Sequence, residues 1–464
     1  MKRLIIIIVY STLFYISYGQ SITQKLARAY GLFNNDQQLK YAVSSLYVID
    51  AKTGKVVFDK NSQIGLAPAS TQKIITAVTA FELLGKDYKY KTEFLYEGEI
   101  KDKILNGNIY IKGDGDPTLG SNRYFNTSPE SIGSKISSAL HTLKIDKHIG
   151  ALAGITDRFS SNIPDGWVWQ DIGNYYGAAA YGLNWNENQY DLVLMPGKKE
   201  GDPVKIIRTN PEIKNPFFNR LASGARNSSD EGYIYFEPRT GSNYVSGTVP
   251  CCVDSFVISG AVPDGNYFTL RSIQDILRKN KFDESNDTSR VALNLTPASG
   301  LKLFYVHYSP ALDSIVYWFL RKSINLYGEA LVKSLAYQKK GYGATDDGVT
   351  IVKDFWHQKG LDVRELNLYD GSGLSPMNRV TTHAQVEVLK YARKQNWFRY
   401  FHDALPEYNG MKMKSGTIND VKGFCGYYTS KEGTEYIFSF LVNNYNGSSL
   451  SLVNKMYKVL DILK

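Results

Sequence analysis

Cysteine is nearly absent, with three in 464 residues, too few for a disulfide framework. Cys251 and Cys252 are adjacent and would strain a mutual bridge, and Cys425 lies far away in a strand-like run. Three buried thiols are therefore expected, with a Cys251–Cys425 or Cys252–Cys425 bridge as the less favoured alternative. The six histidines show no His-Glu-x-x-His and no paired ligand spacing, which argues against a zinc hydrolase. A Gly-x-Ser-x-Gly elbow is missing too. Gly113-Asp114-Gly115 and Gly371-Ser372-Gly373 lack the last glycine of a dinucleotide fingerprint, and Gly54-Lys55 lacks the flanking residues of a P-loop; each reads as a turn. No internal repeat of roughly 20–50 residues is apparent. The net charge of +9 is dispersed, with no recognition motif beside it, so a nucleic-acid partner is not expected. Such an excess suits an acidic polymer.

One apolar run, from Leu4 to Tyr18, follows Met1-Lys2-Arg3 and precedes Gly19-Gln20. It reads as a cleavable leader over residues 1–19, implying export to the periplasm. The run is too short for a stable transmembrane anchor, and no cysteine near its end offers a lipid attachment point.

Three short boxes then stand in fixed order: Ser70-Thr71-Gln72-Lys73, Ser323-Ile324-Asn325 and Lys414-Ser415-Gly416-Thr417. The first opens an apolar helix that stops at Gly85. Residues i and i+3 share a helix face, so Lys73 can reach the Ser70 hydroxyl. A serine hydroxyl needs a base, and a lysine becomes one when burial and nearby cations lower its pKa. In the second box, Ser323 can relay a proton and Asn325 offers an amide to Lys73 or to a substrate carbonyl. The third box begins a strand beside which a peptide can lie as an added strand, with Gly416 keeping the approach clear. Lys414 offers positive charge, and the Ser70 and Thr417 N–H groups are candidate oxyanion donors. Each box alone also reads blandly, as a helix cap, a solvated turn and a lysine-protected edge strand.

Taken together the set resembles the D-Ala-D-Ala carboxypeptidase/endopeptidase family, the class C low-molecular-mass penicillin-binding proteins. The long gap between Ser70 and Ser323 matches the family's inserted domains. So do Gly113–Leu119, with its Gly-Asp-Pro-Thr-Leu pattern, the Trp-rich stretch Gly166–Gly177, and Asp370-Gly371-Ser372-Gly373-Leu374-Ser375. The resemblance implies an acyl-enzyme on Ser70, with Lys73 as base, Ser323 as relay and Asn325 as positioner. It further implies that Lys414, with the Ser415 and Thr417 hydroxyls, binds the terminal carboxylate of a peptidoglycan stem, and that β-lactams inhibit covalently, without metal or organic cofactor. Asp171 and Tyr176, five positions later, match the family's specificity pair. Where some members carry an arginine, this chain has Pro376, and nearby Arg379 is the candidate replacement. Carboxypeptidase and endopeptidase activity both remain open, as do two alternatives: a β-lactamase on the same fold and a non-catalytic wall-binding module.

The implied fold is α/β (α+β): a transpeptidase/β-lactamase-like domain with an antiparallel sheet flanked by helices, interrupted by β-rich insertions. Its catalytic domain would comprise residues 20–92 and 286–464, and residues 93–285 would form two inserted domains, one nested in the other. Pattern and breakers place a hairpin at Ser45–Asp50 and Val56–Lys60, and helices at Pro129–Leu143, Pro310–Gln338, Asp346–Gln358 and Thr382–Lys394. Late strands at Gly423–Thr429 and Glu435–Val442 and a last helix at Leu450–Leu463 follow.

Overall fold

The computed structural model describes residues 21–237, 240–282, 290–298 and 300–464; the expected leader, residues 1–19, lies outside the described residues. Its centre is a six-stranded sheet in the order Glu407–Tyr408, Met411–Ile418, Val421–Thr429, Glu435–Asn443, Val43–Asp50, Val56–Lys60, antiparallel throughout. The central strands are apolar on both faces because each face is covered. Phe438, Phe440 and Val442 pack beneath the helices Ile22–Asn34 and Ser449–Leu460, while Ile437 and Leu441 face a larger helical layer. That layer comprises Lys73–Leu83, Leu312–Arg321, Asn325–Lys340, Thr345–Gln358 and Thr382–Ala392. Ser21 and Gln24 close a capping box on the first helix, satisfying donors that would otherwise be orphaned. Among the described residues, no helix is long and apolar enough to cross a membrane.

Val43–Asp50 sits between the last strand and Val56–Lys60, with Val43 opposite Asn443. The sheet is thus assembled from both ends of the chain. Asn443 reaches further: its amide accepts from Ala67 N at 2.8 Å and donates to Ala67 O at 3.0 Å, fixing the segment just before Ser70.

The long helix expected from Pro310 to Gln338 is broken. Leu312–Arg321 ends, Ser323 takes a left-handed conformation (φ 57°), and Asn325–Lys340 starts afresh. An apolar periodicity that continues through the break hides it in the sequence, because both helices bury against the same core. The helices Ile22–Asn34 and Gly265–Lys279 add to the elements expected from the sequence.

Between the two halves lies a mixed sheet in the order Val291–Leu293, Leu152–Ile155, Ile109–Gly113, Lys91–Tyr96, Lys302–Tyr308. The helices Pro129–Thr142 and Gly265–Lys279 pack on it. Lys302–Tyr308, beyond the expected return at residue 286, therefore pairs with the insertion rather than with the central sheet. A separate β unit built from Gln189–Met195, Lys205–Asn210, Phe217–Gly224, Glu231–Glu237, Ser242–Pro250 and Phe256–Ala261 has its own core around Tyr190, Leu192, Ile234 and Val245. In it the sulfurs of Cys251 and Cys252 lie 2.7 Å apart, while Cys425 is in the central sheet; all three are free, and Cys252 is exposed.

Candidate active site

Ser70 occupies a 3-10 turn, Ala69–Gln72, that runs into the helix Lys73–Leu83. With three residues per turn, positions i and i+3 eclipse, and Lys73 Nζ stands 2.9 Å from Ser70 Oγ. Ala69 is left-handed (φ 46°), a conformation that costs a non-glycine residue about 1–2 kcal/mol. Surrounding contacts hold it there: Thr71 Oγ1 donates to Pro68 O at 2.6 Å, and Gln72 Nε2 donates to Asp370 O at 2.6 Å.

Lys73 is fully buried. Its Nζ donates to Asn325 Oδ1 at 2.6 Å and to the Ser372 carbonyl at 2.7 Å. Burial first, and the Lys414 charge second, push its pKa well below that of a free lysine, against smaller opposing effects of Asp370 and Glu329. A neutral amine has two hydrogens and one lone pair, and two acceptors take the hydrogens here. The lone pair is left for Ser70.

Asn325, at the start of its helix, is held at both ends of its amide, since Nδ2 donates to Tyr176 O at 2.7 Å. Ser323 lines the same cleft as Ser70 and Asn325. The helix break brings both into the cleft.

The strand Met411–Ile418 passes directly against the Ser70 turn. A Cβ on Gly416 would lie 2.6 Å from Pro68 O and 2.9 Å from Ser70 N, so only glycine allows this approach. Thr417 is exposed and lines the cleft. Lys414 is 2% exposed; its Nζ donates to Ser415 O at 2.7 Å, and burial lowers its pKa to about 7. Cys425, its cross-strand partner, is a buried thiol whose pKa burial raises.

The cleft has a volume of about 1130 Å³, and Asp171 and Tyr176 line it together with Ser70, Ser323, Asn325 and Thr417. Burial raises the Asp171 pKa to about 6, opposed by a hydrogen bond with Tyr176. Their loop is held from two sides. Asn174 exchanges hydrogen bonds with Ile234 of the separate β unit, and Trp169 Nε1 donates to Phe236 O at 2.9 Å. Trp167 Nε1 donates to Asp370 Oδ2, also at 2.9 Å. Arg379 is not in this wall; its guanidinium donates to the Pro376 and Asn378 carbonyls. The expected replacement for the missing arginine is thus turned back onto its own loop, where two carbonyls satisfy it.

Asp370 and Ser372 were not among the residues expected to act. Asp370 accepts from the backbone N–H groups of Ser372, Gly373 and Ser375 and from Asn378 Nδ2, shaping the turn that presents the Ser372 carbonyl to Lys73. Gly373, at φ 82°, lets that turn sit on Ala69 O. Behind it, Glu329 Oε1 accepts from Gly371 N at 3.0 Å, and burial raises its pKa to about 8. The Asp-Gly-Ser-Gly-Leu-Ser motif was the signal for this turn, but a backbone carbonyl cannot be read as a ligand from side-chain letters.

Comparison with known proteins bears on the family and the fold. Residues 29–407 match the profile of the D-Ala-D-Ala carboxypeptidase 3 (S13) family. The D-alanyl-D-alanine carboxypeptidase of Actinomadura sp. (strain R39) is 27% identical over 447 residues, covering 89% of this chain and 80% of that protein. The D-alanyl-D-alanine carboxypeptidase DacB of Haemophilus influenzae is 24% identical over 422 residues, covering 86% and 85%. The crystal structure of penicillin binding protein 4 from Haemophilus influenzae shares the fold, with a TM-score of 0.78 at 23% identity over 94% of this chain and 99% of that one. A second structure of that protein, complexed with a β-lactam, gives a TM-score of 0.72 at 22% identity.

Proposed function

The chain belongs to the D-Ala-D-Ala carboxypeptidase 3 (S13) family, and from that premise we infer that it is a penicillin-sensitive serine D-alanyl-D-alanine carboxypeptidase and DD-endopeptidase of peptidoglycan. The observation that carries this reading is the buried Lys73 amine, 2.9 Å from Ser70 Oγ and donating to Asn325 Oδ1 and the Ser372 carbonyl.

Ser70 Oγ attacks the carbonyl of the penultimate D-Ala and gives its proton to the Lys73 lone pair. The Ser70 and Thr417 N–H groups receive the oxyanion. Ser323 relays the proton held by Lys73 to the departing amine, and water, giving a proton to the freed Lys73 lone pair, then releases the stem and returns the hydrogen to Ser70 Oγ. Lys414 suppresses protonation of Lys73, and the Ser415 and Thr417 hydroxyls lie on the same strand toward the substrate's carboxylate. Asp171 and Tyr176 meet the side chain of the third stem residue, and a carboxylate there favours a free amine such as a diaminopimelate end. The β-lactam complex of the Haemophilus relative supports sensitivity to such inhibitors. A binding module would have no use for a buried lysine of depressed pKa beside a serine. A β-lactamase would differ by rapid turnover of the penicillin ester.

The sheet pairings support a catalytic domain made from the two ends of the chain and an insertion extended to take in Lys91–Tyr96 and Lys302–Tyr308, with the unit Gln189–Ala261 nested inside it. Export to the periplasm rests on the leader-like residues 1–19.

The test is digestion of purified cross-linked muropeptides followed by mass analysis. Loss of one D-Ala marks the carboxypeptidase, and conversion of dimer to monomer marks the endopeptidase. Intact muropeptides together with no penicillin label on the protein would refute the reading.

A further inference from the structure

The cleft needs a cation where the terminal carboxylate arrives, and neither expected candidate stands in its wall. Lys414 is buried with its Nζ on Ser415 O, and Arg379 is folded back onto Pro376 and Asn378. Of the cations that do line the cleft, Arg123 is ion-paired with Glu187 and Lys322 caps the helix Leu312–Arg321 beside Ser323; a further cation stands beside the strand that carries Gly416. The two-residue turn Asn419-Asp420 sets the hairpin so that Thr417 pairs with Lys422, and Lys422 Nζ donates to Thr417 Oγ1 at 2.7 Å. Thr417 is a cleft residue. Lys422 also lies over the Phe424 ring, at 5.2 Å, and is only partly exposed.

Among the described residues no carboxylate forms an ion pair with Lys422, not even Asp420 two positions away. A partly desolvated ammonium without a counter-ion is costly unless an anion completes it. Burial accordingly lowers its pKa. The Thr417 hydroxyl, while accepting from Lys422, has its own hydrogen free to donate into the cleft.

We propose that Lys422, held on the Thr417 hydroxyl, is a specificity-determining residue that anchors the terminal carboxylate of the substrate. This rests on the acyl-transfer reading above. The carboxylate receives the Thr417 hydroxyl hydrogen and the Lys422 charge together, which fixes the scissile carbonyl over Ser70. Substrates lacking that carboxylate lose the contact, and a cross-link whose leaving residue keeps a carboxylate beside its amine retains it.

The test compares an acylated tripeptide ending in D-Ala-D-Ala with its C-terminal amide, using wild-type protein, Lys422→Gln and Lys422→Arg. Hydrogen bonds to a charged group of this kind correspond to about 10- to 100-fold. Lys422→Gln should therefore lower kcat/KM on the free acid by about that factor, mainly through KM. The amide should be almost unaffected, and Lys422→Arg should recover most of the loss. A preference for the free acid that survives in Lys422→Gln, or equal losses on acid and amide, would overturn the proposal. Wild-type protein that cleaves neither peptide and takes no fluorescent penicillin on Ser70 would overturn the functional reading and the anchor with it.

Discussion

The Lys414 amine is, after burial itself, the strongest influence lowering the pKa of the Lys73 amine. The two lysines sit on different elements, one at the start of the helix Lys73–Leu83 and one within the strand Met411–Ile418. A base is therefore made by packing a second cation against the first.

Replacing Lys414 with methionine removes that repulsion, so the Lys73 pKa rises. A base acts when deprotonated, and the ascending limb of the pH–rate profile for penicillin acylation should move to higher pH. Each unit of displacement lowers the rate on that limb roughly tenfold. A profile that stays in place would remove Lys414 from this role.

Ser70→Ala should lose all covalent labelling by fluorescent penicillin while keeping the thermal midpoint of the wild type. Its side chain is partly exposed and makes one hydrogen bond, so little stability is at stake. Residual label would place the nucleophile elsewhere.

Asn325→Ala strips Lys73 of one acceptor and leaves Tyr176 O without its donor. Leaving such buried groups unpaired costs about 1–3 kcal/mol. Denaturant unfolding should show that loss, together with a fall of about 10²-fold or more in acylation rate. Asn325→Asp should not rescue it, since a carboxylate near Lys73 favours the protonated amine.

Gly416→Ala puts a methyl group 2.6 Å from Pro68 O. The strand must back away from the Ser70 turn, at about 1–3 kcal/mol of overpacking. The oxyanion donor of Thr417 retreats with it, and loss of one such donor costs about 10²–10³ in rate. Stopped-flow acylation and a melting curve report the two effects separately.

Asp171, whose pKa is raised to about 6 by burial, is ionised above that pH and neutral below it. Preference for a stem with a free amine at its third residue over the acetylated form should therefore fall as pH drops through about 6. Asp171→Asn should abolish the pH dependence of that preference. Measuring kcat/KM for both substrates between pH 5 and 8 decides it.

Much of this site could be read from the chain because each box is a local device. Spacing on one helical face joins Ser70 to Lys73, a glycine opens the strand at Gly416, and the Trp-rich loop carries Asp171 with Tyr176. What could not be read came from tertiary closure. The Ser372 carbonyl becomes a partner of Lys73 only when Asp370 gathers its donors, and Ser323 enters the cleft only through a helix break that the apolar pattern conceals. Lys422 escapes the sequence pattern because the strand-like run begins at Gly423, two residues after the strand's start at Val421. The Asn419-Asp420 turn contained the register that pairs it with Thr417. Arg379 failed for the converse reason: proximity in sequence says nothing about which carbonyls a guanidinium finds first.

The ladder between Val43 and Asn443 orders events on the ribosome. A strand made near the beginning must wait for one made near the end, and the amide that clamps Ala67 belongs to that late arrival. The insertions, with their own cores, can fold during the wait, since domains fold as units while the chain emerges. Nascent protein consequently lacks the clamp on the segment before Ser70 until residue 443 has been made, and a message cut short of that residue yields no hydrolase.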